Sequence, residues 1–209
     1  MAEELGKIEK PEAGQFTNKR KLCLIPLLYS WESAPTEYIQ KLELYWRQVR
    51  EQVVNLESKI GKATCIYHES LTAGGEDGLK ILDRLNPPSK QITQEKCQNG
   101  AQLEVIEDQE LVEESMDWER HLFMGFISEK VARTVTTFFA EVSHRRYEYI
   151  AKRINETLKE NEAAILIIRE GHMVQFPADI EVFIIAPPAL DEIHRWLRDR
   201  SRADEEEEP

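Results

Sequence analysis

Ala163-Ala164-Ile165-Leu166-Ile167-Ile168 is an apolar run that stops abruptly at Arg169-Glu170-Gly171-His172. A short apolar run bounded by polar residues is typical of a fully buried strand. Before it, residues 128–160 have the apolar periodicity of a long amphipathic helix. Open α/β sheets present binding and catalytic groups just past the carboxyl ends of their strands, which is where His172 lies in this pattern. The segment therefore indicates both a fold class and the position of a site.

The other apolar segments alternate between strand and helix patterns. Strands are predicted at Lys21–Tyr29, 62–68, 103–106 and 180–185, and helices at 36–60, 79–85, 108–127 and in a closing segment through Leu190, Ile193 and Leu197. We expect Pro87-Pro88 to stop the helix before it, because a residue that precedes proline is disfavoured in a helix. The alternation predicts an α/β fold, with a mostly parallel sheet flanked by helices and a helical insertion at about 100–145.

The 209 residues have the length of one domain. We expect a flexible N-terminal lead-in at 1–18, a single α/β domain at 19–200 and a disordered acidic tail at 201–209. No apolar run approaches the roughly 20 residues that cross a bilayer, and the first residues lack the basic and apolar regions of a signal peptide. The cysteines, Cys23, Cys65 and Cys97, form no closely spaced pair. A reduced, cytoplasmic protein is predicted.

The net charge of −12 is unevenly distributed along the chain. Residues 101–120 contain eight acidic residues and one arginine, a net charge of −7, and residues 201–209 contain five acidic residues and one arginine, a net charge of −4. Such negative fields repel nucleic acid and anionic membrane surfaces. We therefore expect neither a nucleic-acid partner nor a membrane partner.

The 36–60 helix has two interpretations. Its apolar positions follow alternating spacings of three and four residues: Ile39, Leu42, Trp46, Val49, Val53, Leu56 and Ile60. This register is typical of a coiled coil and favours a homodimer or another protein partner bound through the helix. It is equally typical of a helix packed on the core of its own chain, which we favour because three heptads are few for a coiled coil.

Arg146 is the first candidate site residue. It lies in the row Val142, Arg146, Ile150, Ile154, Leu158, whose members share one helix face because each is four residues from the next. An unpaired guanidinium in an apolar stripe is costly. Arg146 is therefore expected either to form a structural salt bridge with a residue of the sheet or to contact an anion or a transition state in a pocket.

His68 and Glu69 end the second strand, and His172 follows the 163–168 strand. If both strands are parallel and central, these residues meet at one edge of the sheet. An imidazole and a carboxylate there could bind a divalent metal, with His68, Glu69 and His172 as ligands, or act as a base and its partner. The alternative is that each histidine is capped or solvated. For the acidic run at 104–119 we expect a solvated face.

Three of these features together resemble a known family. Glu69 ends a strand, Arg145-Arg146-Tyr147-Glu148-Tyr149-Ile150 lies on a helix, and Gly171-His172 follows the next strand. The order is similar to that of the TraB/pheromone-shutdown and erythromycin-esterase-like superfamily, which includes the TIKI metalloproteases. The resemblance implies that Glu69 matches the glutamate that ends a strand in that family. Arg145 or Arg146 would match the arginine of its later helix, and Gly171-His172 its second glycine-histidine motif.

The first strand departs from the pattern of that family, because Pro26-Leu27-Leu28-Tyr29 contains no histidine. The resemblance therefore implies either a diverged hydrolase or a relative that kept the fold and lost the chemistry. In the hydrolase hypothesis Glu69 is a base or ligand, His172 a ligand or proton shuttle, and Arg146 stabilises developing negative charge. In the other hypothesis the chain is a non-catalytic binding or regulatory module, with the 36–60 helix or the acidic insertion as its partner surface. The missing histidine and the absence of a complete triad favour this second hypothesis.

Overall fold

The computed structural model of the chain describes residues 19–207, with side chains to residue 202. Its strands are β1 (Arg20–Pro26), β2 (Ala63–His68), β3 (Gln102–Glu104), β4 (Ala163–Ile168) and β5 (Ile180–Ile184). Its helices are α1 (Thr36–Ile60), α2 (Gly75–Leu85), α3 (Pro87–Gln98), α4 (Gln109–Phe123), α5 (Glu129–Thr157) and α6 (Pro188–Glu207). The predicted lead-in at 1–18 lies outside the described residues.

The strands form one five-stranded sheet in the order β3-β2-β4-β1-β5, and every pairing in it is parallel. The predicted α/β fold is thus confirmed. β4 is the central strand, and all of its residues are buried. It pairs with β1 on one side and β2 on the other, with Ile165 opposite both Cys23 and Ile66. Because both sides and both faces of β4 are covered, its sequence is a continuous apolar run.

Two helical layers cover the sheet, one on each face. Successive side chains of β4 point to opposite faces, so Ile165 and Ile167 join the core beneath α1, α2, α3 and α6, while Leu166 and Ile168 join the core beneath α5. The crossovers that lead from β1 through β2 to β3 use the first layer, and the return to β4 uses α5. If all crossovers are right-handed, connections that run in opposite directions across the sheet must lie on opposite faces of it.

α1 packs inside the first layer rather than presenting its apolar row to solvent. Leu42, Trp46, Val49 and Val53 are all buried in the core. The core-helix interpretation is confirmed for this row, so the row is not available as the seam of a homodimer. The helix ends at Gly61, whose φ of 102° lies in a region that glycine adopts without a steric penalty.

The structure differs from the sequence prediction at Pro87-Pro88, which begin α3 as well as following α2. Proline is well tolerated in the first turn of a helix, where no intrahelical partner exists for its missing N–H. Asn86 caps the helix, since its side-chain oxygen accepts a 3.0 Å hydrogen bond from the backbone N–H of Ser89. The prediction therefore missed α3, because proline can both end one helix and start another.

The predicted insertion is a hairpin of α4 and α5. The C-terminal half of α5 covers the sheet with Ile150 and Ile154, and α4 packs along the other half. α6 continues to Glu207, into the segment expected to be a disordered tail, since alanine and glutamate favour helix there. Within residues 19–207 no helix is long and apolar enough to span a membrane.

Candidate functional site

The ends of β2 and β4 lie side by side at the carboxyl edge of the sheet. The two strands are parallel neighbours, and the Glu69 N–H continues their ladder by donating to the Ile167 carbonyl at 2.9 Å. Glu69 and Arg169, which follow the two strands, therefore meet at this edge. The expectation that these strands are parallel and central is confirmed.

Arg146 reaches this edge from α5 and is only 5% exposed. Its Nε donates to one carboxylate oxygen of Glu107 at 2.8 Å, and its Nη2 donates to the other oxygen and to Glu69 at 3.2 Å. Burial alone lowers the pKa of Arg146, but the hydrogen bonds and charge of Glu107, and then the charge of Glu69, raise the pKa above its ordinary value. The salt bridge from Arg146 to the end of a sheet strand is therefore formed.

Glu107 belongs to this network, although the sequence analysis assigned it to a solvated acidic face. It is 3% exposed and also accepts a 3.0 Å hydrogen bond from the N–H of Ser70, whose φ is 68°. Glu107 lies in the loop before α4, between the fully buried Ile106 and the cap residue Asp108. Its position before the helix begins, next to a buried isoleucine, is the signal that distinguishes it from the exposed acids of α4.

The carboxylate of Glu69 has no free oxygen. One oxygen accepts from Arg146 and from Nε of Arg169, and the other accepts from the backbone N–H of Arg169 at 2.6 Å. Arg169 extends the network outward to Glu119 at 3.6 Å. Burial lowers the pKa of Arg169, but the charge of Glu69 and its hydrogen bond together outweigh burial and raise the pKa above its ordinary value. Two glutamates, Glu69 and Glu107, are thus balanced by two arginines, and every charged group has a partner of opposite sign.

His68 points to the opposite face of the sheet from this network. It is 1% exposed, its Nδ1 lies 2.6 Å from the Glu69 carbonyl oxygen, and its Nε2 lies 3.0 Å from the hydroxyl of Ser89. Burial lowers the pKa of His68 to about 4, so the ring is neutral at pH 7. A neutral ring donates from Nδ1 to the carbonyl, and its Nε2 faces the Ser89 hydroxyl, which also lies 3.0 Å from the Asn86 carbonyl oxygen. Both ring nitrogens are therefore occupied.

His172 lies in the loop after β4 and is partly exposed. Its Nδ1 accepts a 3.3 Å hydrogen bond from the N–H of Val174, and its ring lies 6.0 Å from that of Phe176. Burial lowers the pKa of His172, and the charge of Glu69 partly offsets this effect. The structure brings Glu69 and Arg146 into contact but does not gather His68, Glu69 and His172 around a common point. Among the residues with described side chains, no group of three or more His, Cys, Asp or Glu is placed to hold a metal ion.

A second candidate site is the loop end of the α4–α5 hairpin. Along the hairpin Trp118 stacks on Phe138 at 5.0 Å, and Glu114 pairs with Arg145 at 2.7 Å. Beyond these contacts lies a group of large apolar side chains that we call the hairpin tip, 84% exposed at Phe123, 74% at Met124, 48% at Val131 and fully exposed at Ile127. Contiguous exposed apolar groups of this kind mark interaction sites in folded proteins.

Comparisons with known proteins identify no relative of the chain: no family model matches it, and neither a curated protein nor a solved structure is significantly similar to it. The resemblance to the TraB superfamily therefore stays an expectation from the sequence, and the catalytic and metal-binding roles of His68, Glu69, Arg146 and His172 stay predictions.

Proposed function

We propose that this chain is a non-catalytic, cytoplasmic binding module whose partner docks on the α4–α5 hairpin. The observation that carries the proposal is that Glu69 and Arg146 are already hydrogen-bonded and ion-paired within the protein. Glu69 accepts hydrogen bonds at both oxygens, and Arg146 is shared between two glutamates. A general base needs a free lone pair within reach of its substrate, and an anion-stabilising arginine needs free donors aimed at the developing charge. Glu69 is 1% exposed and already accepts three hydrogen bonds, while Nε and Nη2 of Arg146 are both bound to carboxylates, so neither group is well disposed for these roles.

The network has a structural explanation that needs no substrate. It ties the end of β2, the loop after β3, helix α5 and the end of β4 to one another through Glu69, Glu107, Arg146 and Arg169. Because α5 is also the longer arm of the hairpin, the same contacts anchor the hairpin to the sheet. We interpret the network as a structural anchor that holds the hairpin in position.

The partner that fits the hairpin is a basic protein segment with apolar side chains on one face. The hairpin tip supplies the apolar contact through Phe123, Met124 and Ile127. The adjoining helix α4 is acidic, and its Glu110 and Glu113 are exposed and have no ion pair within the described side chains. Opposite charge on the partner would direct its approach and select it against acidic competitors. A basic amphipathic helix has both properties.

The experiment measures binding of designed peptides by fluorescence anisotropy. A basic amphipathic helical peptide is titrated with the wild-type protein and with the triple variant Phe123→Ser, Met124→Ser, Ile127→Ser. The matched control is Met173→Ser, which removes another exposed side chain, 72% accessible, from the loop after β4 rather than from the hairpin tip. We expect the triple variant to weaken binding at least tenfold, the control to bind like the wild type, and added salt to weaken all of them.

Three outcomes would contradict this assignment. Equal binding by the triple variant would exclude the hairpin tip, and preference for a charge-reversed peptide would exclude a basic partner. A wild-type dimer that the triple variant converts to monomer would identify a second copy of the chain as the occupant instead.

The diverged hydrolase is the second candidate, favoured by the meeting of Glu69, Arg146 and the His172 loop near one sheet edge. It predicts turnover of an ester, amide or phosphoester in a substrate screen, with the activity lost in Glu69→Gln and in His172→Ala. Turnover that persists in both variants, or no turnover in the wild type, would exclude it.

A further inference from the structure

A cleft of about 440 Å³ separates helix α1 from the first turn of α3. On the α1 side it is lined by Glu43, Trp46, Arg47 and Arg50, and on the α3 side by Pro87, Pro88 and Gln91. The α1 residues are spaced by three, one and three positions, so they share one side of the helix. This cleft is separate from the carboxyl-edge network and from the hairpin tip.

The arginines of the cleft have no partners. Arg47 is exposed, Arg50 is half-buried, and neither forms an ion pair or a hydrogen bond with any residue whose side chain the structure describes. Glu43, one turn before Arg47, is the acid that lines the cleft, and it too forms no ion pair there. Two guanidinium groups against one carboxylate leave a net positive charge on the surface of a strongly acidic protein.

Two buried nitrogens beside the cleft also lack an acceptor. Trp46 is 4% exposed, and its Nε1 has no hydrogen-bond partner; the same holds for Nε of Arg50. Buried donors are normally satisfied, so each unsatisfied donor requires an explanation, and the binding of a ligand is one. Both residues line the cleft, so a ligand bound there is a candidate acceptor for the two nitrogens.

The first turn of α3 adds a favourable field. Pro87 and Pro88 place the positive end of the helix dipole at the cleft. Since both are prolines, they offer no N–H, and the next N–H, of Ser89, is already bound to Asn86. An anion in the cleft would therefore be bound by the arginine and tryptophan donors of α1, with α3 contributing its dipole and an apolar wall.

We propose that this cleft binds a phosphate monoester. Two arginine forks match the geometry and the double charge of a phosphate group. A monoanionic carboxylate would gain less from the same donors. The indole of Trp46 donates to a phosphate oxygen, and the organic part of the ligand lies against Pro87 and Pro88. The inference is independent of the hairpin proposal, because none of these residues lies on α4 or α5.

The test uses the indole N–H signal of Trp46 in ¹⁵N NMR spectra, assigned from its absence in Trp46→Phe. Phenyl phosphate, inorganic phosphate and acetate are titrated into the full-length protein. We expect phenyl phosphate to shift the Trp46 signal with saturation, inorganic phosphate to bind more weakly, and acetate to bind at least tenfold more weakly than phenyl phosphate.

The variants distinguish specific binding in the cleft from nonspecific attraction of an anion to positive charge. Arg47→Gln and Arg50→Gln should each weaken phenyl phosphate binding at least fivefold, and Arg47 is exposed, so its replacement leaves the fold intact. The matched control is Arg198→Gln, an exposed arginine of α6 that has no ion pair among the described side chains and should leave binding unchanged. An unmoved Trp46 signal, or equal weakening by Arg198→Gln, would overturn the proposal.

Discussion

Arg146 and Glu107 form a two-pronged ion pair in which Nε and Nη2 of the arginine donate to the two oxygens of one carboxylate. Both residues are almost fully buried, at 5% and 3% exposure. Arg146 lies on α5 and Glu107 on the loop after β3. The pair therefore ties α5, the helix that leads to β4, to the loop at the end of β3. Buried ion pairs are balanced against a large desolvation penalty, and removal of one member leaves an uncompensated charge.

Glu107→Gln is accordingly expected to lower the free energy of unfolding by about 3 kcal/mol. The substitution keeps the shape of the side chain but leaves Arg146 with Glu69 alone, which Arg169 also uses. Urea denaturation followed by circular dichroism measures the change. Glu114→Gln is the matched control, since it removes the exposed partner of Arg145 and is expected to cost less than about 1 kcal/mol. If the free energy of unfolding fell equally in the two variants, the buried pair would contribute no more to stability than the exposed one.

Replacing both members together should be much less harmful than the sum of the single replacements. In Arg146→Met with Glu107→Leu no unpaired charge of this pair remains, and similar side-chain volumes fill the space. A double-mutant cycle from urea denaturation is expected to give a coupling free energy above about 1 kcal/mol. Additive single effects would indicate that the two residues act through different neighbours.

His68 should make the protein less stable as the pH falls. Its pKa is lowered from 6.5 to about 4 in the folded state, first of all by burial. Between these values the unfolded chain binds a proton that the folded chain does not, so stability is complete above pH 6.5 and decreases as the pH falls towards 4. The contribution of one proton is at most about 1.4 kcal/mol per pH unit.

The measurement compares the slope of unfolding free energy against pH in the wild type and in His68→Asn. Asparagine cannot titrate, so the variant is expected to have the shallower slope between pH 4 and 6.5. His121→Asn, which replaces an exposed histidine of α4, is the control and should keep the slope of the wild type. Identical slopes in wild type and His68→Asn would contradict a neutral buried His68.

Cysteine labelling is expected to follow burial. Burial raises the pKa of Cys23 to about 12, so its reactive thiolate is scarce at pH 8, whereas Cys97 is only partly buried. Mass spectrometry after brief iodoacetamide treatment should find Cys97 modified first and Cys23 protected until urea unfolds the chain. Early modification of Cys23 would show that the core beneath α1 opens readily.

The architecture followed from local patterns. The apolar run at 163–168 has the bounds of β4, and the three-and-four spacing in 36–60 has the bounds of α1, because periodicity reports which side of an element is buried. α3 was missed because Pro87-Pro88 satisfy the rules for the end of one helix and the start of another, and only the packing of Ile92 against the core distinguishes them.

What the sequence determined by itself about the site was its position: the carboxyl ends of two central parallel strands, with an arginine that had to find a partner. Only the tertiary structure decided which partner. Glu107 is 39 residues from Arg146, and Arg169 is 100 residues from Glu69. Local sequence carries no record of such long-range pairing, since it depends on how the crossovers bring the strand ends together. These long-range contacts bind the carboxylate of Glu69 and the guanidinium of Arg146, the two groups that the sequence pattern had presented as available for catalysis.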